Sequence, residues 1–244
     1  MIDFNHKNPT EAINAAIDRG IMFDRKIQPR RNYLGGSAIG EECERKIQFK
    51  YFNVPEDDGK EISGQSLRRF AVGHALEDLA VKWFRAGGFD LRVKKPNGDQ
   101  FGFSTFKDRI RGHIDGVFVG GHELLKYPAL WECKTMAEKY FKQCKKEGVR
   151  KSHPQYFDQV QIYMAYMQLT DNPTIFTAIN KNDQMMLHQA IPFDADAAQK
   201  ASDKAVRILQ ACDAGEILPR ISNDPAFFKC RWCSWADHCH NLTI

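Results

Sequence analysis

The chain has 244 residues, 43% of them hydrophobic and 27% charged, with a formal net charge of +4. That balance is ordinary for a globular protein able to bury a core without staples. It has no run of about eighteen apolar residues, which excludes a membrane-spanning helix, and the opening MIDFNHKNPTEAI lacks a basic start followed by an apolar stretch, so no secretory signal and a cytoplasmic location are expected.

Asn8-Pro9 reads as a helix N-cap followed by proline at the first helical position. Gly35-Gly36-Ser37 is expected to open a second helix that carries Cys43 and its charged neighbours. A third runs from Gln65 to Ala86, where Leu67, Phe70, Leu76, Leu79, Ala80, Trp83 and Phe84 surround much of the circumference and imply a largely buried helix. Gly87-Gly88 ends it. The apolar period then shifts from helical to alternating, giving strands at Phe89–Lys95, Phe101–Phe106, Ile110–Val119 and Ala129–Thr135. Helices near Ala137–Glu147 and Pro154–Gln168, strands at Thr174–Asn180 and Met185–Pro192, and a helix from Asp194 to Ala214 follow. A tail rich in Cys, Trp and His closes the chain. The order predicts an α/β fold, a mixed sheet between helices, in one domain: an N-terminal helical segment (1–64), a core (65–192) and a C-terminal helix with the tail (193–244).

Asp115 lies in the strand Ile110–Val119, and Glu132 and Lys134 lie in the next. Side chains alternate along a strand, so Glu132 and Lys134 share a face. If the two strands pair as a hairpin, Asp115 comes beside them. Two carboxylates then converge on a divalent cation with an ammonium in reach, the arrangement that phosphodiester hydrolysis requires. An isolated Glu-x-Lys is common by chance. Here it is embedded in an apolar strand, where unpaired charges are costly. His74 and Glu77, one helical turn apart, suggest a buried polar pair, while Gln159 and Tyr163 share a face of their helix and can orient a lysine, a phosphate or a base. Basic residues gather at Arg25–Lys26, Arg30–Arg31 and Lys94–Lys95, and along Lys139, Lys142, Lys145, Lys146, Arg150 and Lys151, a distribution that leans towards a polyanion such as DNA.

Seven cysteines are present, an odd number that argues against a pure disulfide framework. Cys230, Cys233 and Cys239 are spaced so that one loop can wrap one metal centre. The fourth ligand would come from Cys43, His238 or His240, and zinc and an iron–sulfur cluster are equally reasonable on chemistry alone. Cys133, Cys144 and Cys212 read as core or incidental thiols.

The succession Gly73-His74…Glu77, Gly112-x-x-Asp115, Glu132-x-Lys134, Gln159-x-x-x-Tyr163 resembles the RecB-like branch of the PD-(D/E)XK nucleases, which includes the nuclease domains of RecB and AddB and the CRISPR-associated RecB-like exonucleases. It spans roughly Ser37 to Cys239, and it departs from the family at Ile114, where proline commonly precedes the aspartate. The resemblance implies a restriction-endonuclease-like mixed sheet flanked by helices and a DNA exonuclease acting at ends with Mg²⁺ or Mn²⁺. His74, Asp115, Glu132 and the main-chain carbonyl of Cys133 would hold the metal, joined by Glu77 in some relatives. Lys134 would position or activate the attacking water, with Gln159 and Tyr163 in support. Cys43, Cys230, Cys233 and Cys239 would hold a [4Fe–4S] cluster stapling the two ends of the domain, with Zn²⁺ at the cysteines as the alternative. Expected partners are single-stranded or end-containing double-stranded DNA, together with proteins of a recombination, repair, phage or CRISPR processing complex. Two other readings share the motifs: an endonuclease on the same core, and a nucleic-acid-binding module with a vestigial site. No G-x-x-x-x-G-K-[ST] phosphate loop is present, so the chain shows no helicase motor of its own.

Overall fold

The computed structural model describes residues 9–242, so the capping role expected of Asn8 lies outside the described residues. Proline starts α1 (Pro9–Lys26), and a two-residue strand, β1 (Leu34–Gly35), leads into α2 (Gly36–Ile39) and α3 (Glu44–Tyr51). The single helix expected to carry Cys43 is therefore two. Helix α2 ends at Gly40, its C-cap, and Cys43 sits in extended conformation at the start of α3.

Ser63 caps α4 (Gly64–Ala86) by accepting from the Ser66 amide at 3.2 Å. Strands β2 (Asp90–Arg92), β3 (Gly102–Thr105), β4 (Ile110–His113), β5 (Gly116–Gly120) and β6 (Ala129–Met136) follow, then helices α5 (Glu138–Glu147), α6 (Val149–Ser152) and α7 (Pro154–Met167). Strands β7 (Thr174–Asn180) and β8 (Met186–Ile191) precede α8 (Ala195–Ala214), which begins under an Asp194 cap, Oδ1 accepting from the Ala197 amide at 3.0 Å, and ends at left-handed Gly215 (φ 69°). The tail folds into α9 (Phe228–Arg231) and α10 (Ala236–Asn241).

The fold is a mixed α/β arrangement of two sheets flanked by helices, where the sequence suggested one sheet. A three-stranded sheet has the order β1-β4-β3, and a five-stranded sheet the order β2-β5-β6-β7-β8. Only β6 and β7 run parallel in the larger sheet, joined by the α5–α7 crossover that parallel neighbours require. The strand expected over Ile110–Val119 is split at Ile114-Asp115: β4 stays in the small sheet, and β5 enters the large one.

Side chains of the large sheet alternate between two cores. Leu130, Met136, Phe176 and Ala178 pack with Val160 and Met164 of α7 and with Ile208 of α8, while Trp131, Cys133, Ile175 and Ile179 pack with Ala80 and Val81 of α4. The first core runs from Leu34 to Leu218. The expectation of a largely buried α4 fails. One stripe of it (Leu76, Ala80, Val81, Phe84) meets the sheet, while Phe70, Leu79 and Trp83 stay exposed. Apolar residues all round a helix signal full burial only where both sides have partners. Among the described residues no helix is long and apolar enough to cross a membrane.

Candidate active site

Strand β6 carries the centre of the site. By alternation Glu132 and Lys134 lie on its α7 side, among Leu130 and Met136, while Cys133 faces α4. The antiparallel ladder between β5 and β6 ends at Gly116 opposite Trp131, which sets Asp115 one step further on, opposite Glu132. There the Asp115 side chain takes over from the main chain: Oδ2 accepts from the Cys133 amide at 2.7 Å. The hairpin expectation therefore holds, and the two carboxylates stand side by side.

Glu132 is fully buried (0% exposed). Its Oε1 accepts from Gln159 Nε2 at 2.7 Å and from the Lys134 ammonium, while Oε2 is buried with no partner. Burial, and then the neighbouring Asp115 charge, push the Glu132 carboxyl up to about 8. Asp115 is raised too, by burial, against the opposing pull of Lys134 and the Cys133 amide. Burial alone would lower the Lys134 amine, but the Glu132 and Asp115 carboxylates more than reverse it, so the ammonium stays charged. Its Nζ also lies 5.5 Å from the centroid of the Tyr156 ring, which stacks on His153 at 5.4 Å between centroids. Tyr156 was not singled out in the sequence; an aromatic three residues before Gln159 on α7 was the available signal.

Tyr163 is buried beside Gln159 and is held by two glycines. A Cβ on Gly36 would meet Tyr163 Cε1 at 2.4 Å, and one on Gly112 would meet Phe103 Cε1 at 2.5 Å and Tyr163 Cε1 at 2.9 Å. These positions exclude side chains so that α2, β4 and α7 can close on the ring.

The helix α4 contributes unequally. Burial, and then Asp115, push Glu77 up to about 7, which places its carboxyl in the field of the site. The buried His74–Glu77 pair expected from the sequence is not found: the His74 side chain is 80% exposed, with Nδ1 3.9 Å from Glu77 Oε2. The position shares a helical face with Glu77 and the buried Val81, and its charge acts on Asp115, so His74 borders the site with its ring turned out to solvent. Among the described residues no three His, Cys, Asp or Glu side chains converge closely enough to hold an ion as they stand. The donor set nevertheless suits a hard dication: two carboxylates raised by burial, the Glu132 one also by the Asp115 charge and with a buried, unpartnered oxygen.

A second cluster lies beside a small separate core of Phe49, Trp235 and Cys239. Cys43, Cys230, Cys233, Cys239 and His240 line one cavity of about 410 Å³. Burial raises the Cys230 and Cys233 thiols. All seven cysteines are free, and Cys133, Cys144 and Cys212 are buried elsewhere, as expected. Of the two candidate histidines, His238 packs on Phe49 (5.2 Å between ring centroids). The His240 Nδ1 faces Arg220 Nη1 at 3.3 Å. A guanidinium only donates, so Nδ1 is placed as the acceptor, and Nε2 is buried without a partner.

No family model matches the chain, and no curated protein matches it. Solved structures do. The structure of SSO0001 is similar at a TM-score of 0.52 and 15% identity, covering 97% of this chain and 99% of that one. An alkaline exonuclease (LHK-Exo) from Laribacter hongkongensis is similar at a TM-score of 0.54 and 14% identity, covering 76% of this chain and 90% of that one. The same exonuclease in complex with dAMP gives a TM-score of 0.51 at 15% identity, with the same coverage. At these identities the likeness is one of fold: the chain has the architecture found in an alkaline exonuclease.

Proposed function

We propose that the chain is a metal-dependent DNA nuclease, an exonuclease acting at DNA ends, with its reaction centre at Asp115, Glu132 and Lys134. The observation that carries this reading is the convergence on one spot of two buried carboxylates, a charged lysine, and a glutamate oxygen with no partner. The fold shared with an alkaline exonuclease supports it, as does the dAMP bound in that relative. Asp115 and Glu132 would hold Mg²⁺ or Mn²⁺, with the Cys133 carbonyl, Glu77 and a rotated His74 completing the set. The bound ion would polarise the phosphate and lower the pKa of a water molecule.

The remaining work falls to the side chains. Lys134 brings a fixed positive charge to the charge developing on the phosphate and orients the attacking water. Gln159 holds the Glu132 carboxylate by one oxygen and leaves the other free. Tyr163 fixes α7 against α2 and β4, which keeps Gln159 in place. The exposed lysines of α5 (Lys139, Lys142, Lys145, Lys146) start just beyond the end of β6 and would meet the DNA backbone. Linear and covalently closed circular duplexes, incubated with Mn²⁺, test the end requirement. Linear DNA should be degraded and the closed circle spared; cutting of the circle would make the enzyme an endonuclease on the same core.

The cysteine cavity is assigned a [4Fe–4S] cluster held by Cys43, Cys230, Cys233 and Cys239, which would tie α3 to the tail. Its support is that the four cysteines, far apart in sequence, share one cavity. Protein purified without oxygen should be brown and contain iron. A colourless, zinc-loaded preparation would replace the cluster with zinc and leave the nuclease reading standing.

A further inference from the structure

Arg45 is the third residue of the Cys43-Glu44-Arg45 run, and it is 1% exposed. A guanidinium stays charged at any pH the protein meets, and burying one without a counter-charge costs several kcal/mol. Its Nε donates to the Leu218 carbonyl at 2.5 Å, and Nη1 lies 3.4 Å from the Cys239 carbonyl oxygen and 3.6 Å from Cys239 Sγ. Carbonyls satisfy donors but carry no charge. The acidic residues nearest in sequence are committed elsewhere: Glu41 to Lys46, Glu42 to Lys229 and Glu44 to Arg207. Among the described residues no Asp or Glu pairs with Arg45. Among the described residues, the one hydrogen-bond partner of Arg45 that can become an anion is the sulfur of Cys239.

We propose that Arg45 is the fixed counter-charge of the sulfur site, its guanidinium compensating the negative charge that the cysteine thiolates carry once they hold a metal. The proposal rests on the metal-holding reading of the cavity. Four thiolates around a dication, or around a cluster core of the same charge, leave a net negative charge, and a buried cation in contact with one of the sulfurs offsets it. The empty site then bears an uncompensated buried cation. Loading and folding are coupled through Arg45 as well as through the ligands themselves.

The test separates this role from an ordinary structural one. Zn²⁺ is titrated into chelator-stripped wild-type protein, Arg45→Met, Arg45→Lys and the double variant Cys230→Ser/Cys233→Ser, in competition with a chromophoric chelator, and the stripped and loaded forms are melted. Arg45→Met should bind Zn²⁺ about 10- to 100-fold more weakly than wild type. Its loss of Tm should be confined to the loaded form, because the stripped variant no longer buries a lone charge. Arg45→Lys, which keeps the charge, should fall between the two, and it carries the comparison if the methionine variant fails to fold. Equal Zn²⁺ affinity, or the same fall in Tm with and without metal, overturns the proposal. If the double cysteine variant binds Zn²⁺ as wild type does, the reading of the cavity as a metal site fails as well. If the double variant loses Zn²⁺ and Arg45→Met keeps it, only the role of Arg45 falls.

Discussion

Asp115 accepts a hydrogen bond at 2.7 Å from the main-chain amide of Cys133, the residue between Glu132 and Lys134. That bond fixes the aspartate to the strand that carries its partners, so the carboxylates cannot separate without opening the end of the β5–β6 ladder. Asn in its place can still accept from the amide but removes the charge. Asp115→Asn is therefore expected to fold with a Tm close to wild type and to lose nuclease activity, as read by melting and by DNA digestion.

Glu132 sets the pH response of the metal-free protein. Its folded-state carboxyl lies near 8, above its ordinary value of 4.5, so its contribution to stability is full below about pH 4.5 and is lost as pH rises through about 8. Glu77, raised to about 7, acts in the same direction. The Tm without metal should fall across this window, and Glu132→Gln should flatten the fall. Mn²⁺ competes with these protons, so it should raise Tm more at pH 8 than at pH 6 and release protons on binding at neutral pH, measurable by calorimetry in buffers of different ionisation enthalpy.

Gln159 donates to Glu132 Oε1 at 2.7 Å from inside the core. Replacing it with leucine keeps the volume and removes the donor. A hydrogen bond to a charged group contributes about 1.5–3 kcal/mol, so Gln159→Leu should lower stability by about that amount well above pH 8, where Glu132 is ionised, and by less at pH 6, where it is protonated. The comparison of denaturant midpoints at the two pH values reads the difference directly.

Gly112 and Gly36 hold the ring of Tyr163 between them. A methyl at Gly112 would press on Phe103 and Tyr163, and overpacking of this kind costs about 1–3 kcal/mol. Gly112→Ala should therefore lower Tm and activity together, and adding Tyr163→Leu should restore part of the Tm without restoring activity.

The sequence made much of this site legible because strands impose a period of two: Glu132 and Lys134 fall on one face of β6 wherever that strand lies, and the turn after β5 makes Asp115 their neighbour. The share of α7 was legible for the same geometric reason, since Gln159 and Tyr163 are one helical turn apart. What failed depended on partners that no local pattern reveals. The apolar residues around α4 promised burial on all sides, yet only one side meets the sheet, and His74, on that side but at its border, keeps its ring in solvent. The run from Ile110 to Val119 reads as one strand because nothing local marks Asp115 as the point where the chain changes sheets. Gly36 and Tyr156 act through residues more than a hundred and some twenty positions away in the chain respectively, and such contacts leave no periodic trace.

The central claim is tested most directly by digestion of end-labelled single- and double-stranded DNA in Mn²⁺, wild type beside Lys134→Met, with binding to the same DNA measured in parallel. The account requires Mn²⁺-dependent degradation by wild type, loss of cleavage by at least about a hundredfold in the variant, as expected when a charge-stabilising group is removed, and binding within a few fold of wild type. Equal digestion by both proteins, or digestion unaffected by removing the metal, would contradict it.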